Sequence, residues 1–552
     1  MRRDVTIIVA LAAVVLVPSI LTRDPWNPDE PRYAEVAREM VVTGHYAVPH
    51  LNGEVYPDKP AFFFWLVAGL MRLGFGFAAG RVLAALAAAG TLLLVYGLGR
   101  RLYGREVGLL AALVTLTTLL FAWICKLGVL DPPLTFCVVA AIACGHLALG
   151  GDGRRGLWWL AAYTAAGVGV LIKGPVAIAV PAIVLAAYGI ARRREVRGGG
   201  WWHLAGAGLL LATVAAGMAP SLIQGGDAYA REIVFGQTAQ RFTRKASHSK
   251  PFYHFLATWP LYFLPWSLLV PLALVSAIRA ARRGERESWL PALWLIAVLV
   301  FFSIPAGKRE RYILPVIPAV GLLVARYGSR AAQGDVPWPR WHGWMWRVTL
   351  ALGAMVAVGI GAAALAPARL AVRFEEDFQA GAELRDLLGP WRTAAALALS
   401  AFLIAAAFAA ARHLRDPSAE RRRMLLAVAA AVAFSLVGDL VAVPVIDRFK
   451  SGRDLVEEGR PFLDAADEVL LFGSDYAGVY NLFSGRVRMP VAKEASDLAA
   501  HLSPPRRIAV IARKKHLGRL AALPLHVAVR ERVGSKRMVI LINWEPGRPA
   551  AP

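Results

Sequence analysis

NPDEPRYAEVAREMVVTGHYAVPHLNGEVYPDKP, Asn27 to Pro60, is a polar stretch set between two strongly apolar segments. It opens on Pro28-Asp29-Glu30-Pro31, which predicts a helix start with Asp29 at the N-cap and Pro31 just inside. Tyr33, Val36, Ala37, Met40 and Val41 then recur at the spacing of an amphipathic helix. Arg32, Glu35 and Glu39 share the other face, and Gly44 stands where a helix would stop. The stretch closes on Tyr56-Pro57-Asp58-Lys59-Pro60. A first loop after a membrane anchor has no structural need for so many ionisable groups beside aromatics and prolines. An active-site loop explains them better than a solvated loop helix does.

Outward from this loop, the chain is 552 residues long, 57% hydrophobic, with a mean hydropathy of +0.50. Such a composition belongs to a polytopic α-helical membrane protein. Apolar runs of about 17–23 residues recur, each long enough to cross a bilayer core. A net charge of +24 in a soluble protein would point to nucleic acid. Here the arginines cluster between apolar segments, so the positive-inside rule accounts for them and no nucleic-acid partner is expected.

Arg2-Arg3 place the N-terminus in the cytoplasm, and Pro18-Ser19-Ile20-Leu21-Thr22 has no clear small-x-small cleavage site, so the first span reads as an uncleaved anchor. The Asn27–Pro60 loop is then outside. Ala61–Ala79 is interrupted by Arg72 and glycines and reads as an interfacial or re-entrant helix. With that choice the later arginine clusters, from Arg100-Arg101 to Arg421–Arg423, all fall on the cytoplasmic side, and thirteen spans result. Were Ala61–Ala79 a full span, every one of those clusters would face outward.

The membrane domain is expected over 1–443, including the first loop at 22–80. Residues 444–552 carry mixed charge and short β-rich runs at Glu468–Phe472, Arg507–Ile511 and Arg537–Asn543, with helix-like pieces at Ser451–Ala466 and Glu494–Leu502. They predict a small α/β domain, placed outside by the odd span count. Cys125, Cys137 and Cys144 give neither a disulfide framework nor metal-ligand spacing, and no dinucleotide fingerprint is present, so no nucleotide cofactor is expected.

On this topology the unusual polar residues gather on the outer side. The first loop supplies Asp29, Glu30, Arg32, Asp58 and Lys59, and the turn before the fourth span supplies Lys126 and Asp131. An Asp at the mouth of an apolar span is a functional candidate, a simple N-cap being the alternative. Lys173 ends the apolar run Val168–Ile172, where a snorkelling lysine is the alternative. A later loop supplies Gln240-Arg241-Phe242 and His248-x-x-Pro251-x-Tyr253-His254, and another turn supplies Lys308, Arg309, Arg311 and Tyr312. So many cations outside oppose the positive-inside trend, and a phosphate suits guanidinium and ammonium groups best. Carboxylates beside an anion site suggest transfer chemistry on a lipid-linked phosphate, one carboxylate acting as general base. A transporter or flippase of a lipid-linked solute is the alternative; it should carry charges near mid-membrane and broken helices in both halves.

The string PDEPRYAEVAREM, then YPDKP, LGVLDPPL, LIKGP, QRF with H-x-x-P-x-Y, and GKRERYILPVIP resembles the bacterial aminoarabinose (4-amino-4-deoxy-L-arabinose) lipid A transferases and the wider group with protein O-mannosyltransferases, the GT-C glycosyltransferases. Six collinear motifs carry the resemblance over about the first 330 residues. It implies a GT-C transmembrane bundle with a small C-terminal periplasmic α/β domain. It implies inverting transfer of aminoarabinose or another sugar from an undecaprenyl-phosphate carrier to lipid A or another glycan or protein acceptor, at the periplasmic face of the inner membrane. By motif, Asp29 and Asp131 match the two acidic residues, with Glu30 and Arg32 beside the first. Lys59 matches the lysine near the carrier phosphate, and Tyr56, Lys173, Arg241, Lys308, Arg311 and Tyr312 are further phosphate or sugar candidates. The family's Glu and His at a divalent-metal site fall here on Asp58 and His248.

Overall fold

The computed structural model describes residues 1–26, 28–150, 154–192, 200–233, 249–336, 338–365, 381–414, 416–473, 478–502, 506–534 and 536–545. Helices dominate up to Ala442, and the chain divides into two compact units. One comprises Met1–Leu21, Asp58–Phe63 and Arg81–Ala442; the other comprises Thr22–Pro57, Phe64–Gly80 and Val443–Pro552. The division at Ala442/Val443 lies where the composition changes. The first loop, expected with the membrane domain, falls for the most part with the C-terminal residues, because buried side-chain hydrogen bonds tie it to them.

Ten helices among the described residues are long and apolar enough to cross a bilayer, which makes this a multi-pass membrane protein. They begin with Arg2–Thr22 and end with Pro417–Asp447. Three of the thirteen expected spans look different. Val176–Ala191 is shorter, at 16 residues. The third is broken into Arg105–Thr117 and Leu119–Ile124, and the eighth into His254–Tyr262 and Leu269–Arg282.

Ala61–Leu70 is a helix of 10 residues, about 15 Å long and half of a hydrocarbon core. Gly74 at φ 95° and Gly76 at φ 50° end it before Ala79–Tyr103 begins. The two glycines take backbone conformations that few other residues accept, so the break is written in the sequence.

Ile317–Ala331 is the centre of the first unit, buried along nearly its whole length. Gly321 lets it cross Arg105–Thr117 at close range, since a Cβ there would stand 2.1 Å from Thr115 Oγ1 and 2.6 Å from the Ala111 carbonyl. Asp131–Leu149 packs against Arg155–Lys173, Val176–Ala191 and Glu310–Val316, so three chain segments that carry candidate residues, those of Asp131, Lys173 and Arg311, share one packed group.

The second unit holds a five-stranded sheet of order β4-β3-β5-β7-β6, with β3 at Glu468–Phe472, β4 at Val491–Ala492, β5 at Ile508–Arg513, β6 at His526–Val533 and β7 at Lys536–Ile542. β3, β4 and β5 run parallel, whereas β7 is antiparallel to β5 and β6. Alternate residues of β3 and β5 feed two cores on opposite faces. Leu471 and Ile511 pack under the helices Arg453–Ala465 and Val479–Ser484, and Leu470 and Val510 pack with Leu498 of the helix Ala495–His501.

The loop helix spans Asp29–Thr43, with Pro28 rather than Asp29 at its N-cap and Gly44 at φ 76° closing it as expected. The stripe Tyr33, Val36, Ala37 and Met40 is buried, and so are Glu35 and Glu39 of the opposite face. Glu35 receives two 2.7 Å hydrogen bonds from the Arg38 guanidinium, which also donates to the carbonyls of Gly485 at 3.1 Å and Arg486 at 3.3 Å. Asn52, in the turn between β1 (His50–Leu51) and β2 (Glu54–Val55), donates to the Met489 carbonyl at 2.8 Å and accepts from Asn481 at 2.8 Å. The polar face of this helix is thus a docking face for residues more than 400 positions downstream.

Candidate active site

The first unit gathers four of the candidates in one place. Asp131 is the first residue of its helix and is 3% exposed. Its Oδ1 is ion-paired with the Lys173 ammonium, and Arg311 Nε lies 3.7 Å from Oδ2. Lys173 Nζ also sits 5.0 Å from the centre of the Tyr312 ring. The sequence accounts for the convergence. Leu130 precedes a Pro-Pro helix start, Gly174 ends the helix of Lys173 at φ 92°, and Arg311 and Tyr312 lie in the short 3-10 helix Glu310–Val316. Three helix ends therefore meet. A buried carboxylate between a lysine and an arginine fixes the direction of both cations, and such a group can hold an anionic oxygen while it orients an acid.

Five residues from Asp131, the Lys126 ammonium is 2.7 Å from Asp439 Oδ2 and donates to Ser435 Oγ at 2.7 Å. Asp439 lies in a π-helical turn, Gly438–Ala442. It was not among the sequence candidates, yet it is the only charged residue between Met424 and Ile446, a signal the sequence did carry.

Lys308 is 2% exposed, and its ammonium donates to the carbonyls of Pro305 and, at 3.3 Å, Lys250. Burial pushes its pKa below the usual lysine value. Lys250 N donates to the Ala306 carbonyl at 3.0 Å, and Lys250 Nζ is 3.4 Å from His254 Nε2. Lys250, which the motif reading did not single out, and His254 thus join Lys308 in one basic group. Lys59 Nζ donates to the Asp58 carbonyl at 2.7 Å.

Asp29, Glu30, Arg32 and Tyr56 belong to the second unit. Asp29 and Arg32 are half-buried. Glu30 is buried, ion-paired with Arg23 at 2.5 Å and accepting from Trp26 N at 3.2 Å. Arg23 in turn covers the Trp26 ring at 4.7 Å. Tyr56 is buried against Phe64, with ring centres 6.1 Å apart. Arg241 and His248 lie outside the described residues, as do Glu375, Glu376 and Asp377 of the acidic loop. Among the described residues no three His, Cys, Asp or Glu side chains gather in a way that could hold a metal ion.

The chain thus combines a polytopic helical unit, in which a buried carboxylate and cations meet at converging helix ends, with a mixed α/β unit. Over 98% of both chains the fold matches the crystal structure of ArnT from Cupriavidus metallidurans bound to undecaprenyl phosphate, with a TM-score of 0.77 and 22% identity. Residues 58–218 match the family model described as dolichyl-phosphate-mannose-protein mannosyltransferase. The chain is 34% identical over 343 residues to an undecaprenyl phosphate-alpha-4-amino-4-deoxy-L-arabinose arabinosyl transferase of Sodalis glossinidius, covering 60% of this chain and 61% of that one. It is 35% identical over 329 residues to the transferase of Erwinia tasmaniensis bearing that description, covering 58% of each. The chain therefore has the fold of that ArnT structure and is similar in sequence to these arabinosyl transferases, its matches spanning about three fifths of the length of those curated relatives.

Proposed function

We propose that the protein is a membrane glycosyltransferase that takes a sugar from an undecaprenyl-phosphate carrier and passes it, with inversion, to a lipid or other envelope acceptor. The observation that carries this reading is the 34% identity over 343 residues to an arabinosyl transferase named for an undecaprenyl-phosphate-linked sugar. In the reaction an acceptor hydroxyl gives its proton to a carboxylate as its oxygen bonds to the anomeric carbon. The bond from that carbon to the carrier phosphate breaks, and undecaprenyl phosphate leaves with the electron pair. By the motif match Asp29 is the base, a role that a half-buried carboxylate in the first turn of a helix can fill. Lys59 and Arg241 would stabilise the leaving phosphate, together with Lys308, two of whose donors already hold main-chain carbonyls.

The Asp131, Lys173 and Arg311 group would orient the carrier phosphate or the sugar, with Tyr312 beside Lys173. A divalent metal at Asp58 and His248 is part of this reading, but no step runs through it. Thirteen crossings, a cytoplasmic N-terminus and an inner-membrane location with the residues after Val443 in the periplasm complete it, supported by the arginine asymmetry.

The test is transfer itself. Purified protein in nanodiscs is given undecaprenyl-phosphate aminoarabinose and lipid A, and the acceptor is followed by mass spectrometry. The expected result is a pentosamine mass increase with release of undecaprenyl phosphate. Release without acceptor modification would redirect the search to another acceptor, and no release from any undecaprenyl-phosphate sugar would overturn the reading.

A further inference from the structure

Pro28, at the N-cap of the helix Asp29–Thr43, has no side-chain oxygen to offer the first turn. The start of that helix is instead held through the segment that leads into it. Trp26 N donates to Glu30 Oε2 at 3.2 Å, which closes residues 26–30 into a short loop with Asp29 inside it. The Glu30 carboxylate is fixed in turn by its ion pair with Arg23.

Trp26 is the pivot of this arrangement. It is buried, and two cations lie by its indole ring, the Arg23 guanidinium 4.7 Å and the Lys450 ammonium 5.0 Å from the ring centre. Its indole N–H donates to one oxygen of Asp447, and the other Asp447 oxygen accepts from Asp24 N at 3.2 Å. A single carboxylate of the helix Val443–Lys450 therefore holds two N–H groups of the segment that enters the loop. Asp24 is gripped a second time by Arg453, whose Nη2 and Nε donate to its carboxylate at 2.6 and 2.9 Å. Asp447 is buried as well, a place where a carboxylate is penalised unless its hydrogen bonds are made. Packing the ring would need no carboxylate; aiming it does, because satisfied buried polar groups fix one geometry.

We propose that Asp447 is a positioning residue for Asp29: acting through Trp26, it sets the direction in which the Asp29 carboxylate leaves the start of its helix. The proposal rests on the reading of Asp29 as the general base of sugar transfer. A base must lie within hydrogen-bond reach of the proton it takes, and a displacement of about 1 Å at such a group can cost a hundredfold in rate. Asp447 acts on the reaction only through Trp26 and Asp29, so its loss should fall on kcat and leave the KM for the carrier sugar in place.

The experiment compares the full-length wild type with Asp447→Asn, Trp26→Phe and the double variant in nanodiscs. Transfer is measured with undecaprenyl-phosphate aminoarabinose and lipid A, and hydrogen–deuterium exchange is measured without substrate. Asp447→Asn keeps the side-chain shape, but its NH2 group must face one of the two N–H donors; Trp26→Phe keeps an aromatic ring and removes the donor. The expected result in each single variant is a kcat lowered roughly ten- to a hundredfold, a KM within about twofold of wild type, and faster exchange confined to peptides covering 24–35. The double variant should lose no more than the worse single one, since both changes break the same bond. Asp447→Glu, which retains the carboxylate, should recover part of the lost kcat. A raised KM with kcat intact, multiplied losses in the double variant, faster exchange throughout the chain, or unchanged exchange at 24–35 would overturn the proposal. If the wild type transfers nothing, the sugar-transfer reading fails by itself. Exchange at 24–35 then still decides whether Asp447 holds the loop, faster exchange in the variants upholding that contact and unchanged exchange overturning it.

Discussion

Removing Lys126 or Asp439 alone should destabilise the membrane unit far more than removing both. The two side chains are each 5% exposed and 2.7 Å apart. At an effective dielectric of about 20, that separation gives about 6 kcal/mol of attraction. Desolvating two ions offsets several kcal/mol of it for each, so the pair as a whole is close to neutral. A single Lys126→Met or Asp439→Leu change leaves the other charge buried without its counter-ion, which costs about 3–5 kcal/mol. The double variant should recover most of that loss, and Ser435→Ala, which removes one acceptor from Lys126, should cost about 1 kcal/mol. Equilibrium unfolding in mixed detergent–SDS micelles, run as a double-mutant cycle, measures the coupling directly. Additive losses in the double variant would refute the reasoning and leave the pair as two independently satisfied groups.

Four further outcomes are expected. Asp29→Asn should lower transfer by about 10²–10⁴-fold while the protein stays folded, and near-normal turnover would remove it as the base. Lys59→Ala should weaken undecaprenyl-phosphate binding by roughly ten- to a hundredfold in nanodiscs; unchanged affinity with lost activity would move Lys59 to the sugar or the acceptor. Burial pushes the Glu35 pKa up to about 7 against the pull of Arg38, so the folded protein holds a proton that the unfolded chain, titrating near the ordinary carboxylate value, has released. The stability this lends is full below about pH 4 and is lost as pH rises through 7; Arg38→Ala should therefore destabilise the α/β unit more at pH 8 than at pH 5 in thermal melts, and a pH-independent loss would contradict it. Reporter fusions after Gly80 and after Ser451 should both lie outside, and a cytoplasmic signal from either would break the topology.

Helix positions were legible because a bilayer imposes length and hydropathy on each span, and because arginine clusters punctuate them. Gly74 and Gly76 also announced the break after Ala61–Leu70. The strands Glu468–Phe472 and Lys536–Ile542 were readable as β-branched apolar runs, but β6 was not, since charged residues alternate through His526–Val533 on a half-exposed strand. Asp131, Lys173 and Arg311 were each marked by their polarity at span ends; their pairing was not, because it depends on which helix ends meet in space. The burial of Glu35 and Glu39 was not legible for a related reason. A carboxylate on the polar side of an amphipathic helix resembles a solvated one until what covers it is known, and the 485–486 turn that Arg38 meets lies far along the chain.

The hydrogen bonds that join Asn52 to Met489 and Asn481, and those from Arg38 to residues 485 and 486, set an order of assembly. The loop bearing Asp29 leaves the ribosome near the start of synthesis, but the surface that receives it is made only in the last fifth of the chain. Until then the loop has nothing to dock against, and closing so long a separation is an entropic expense that local helix formation does not meet. Every span can therefore be inserted while the first loop is still unfinished. A product truncated just after the last span would reach the membrane with its earliest candidate residue unsupported, which makes the final hundred residues the step that completes the first loop.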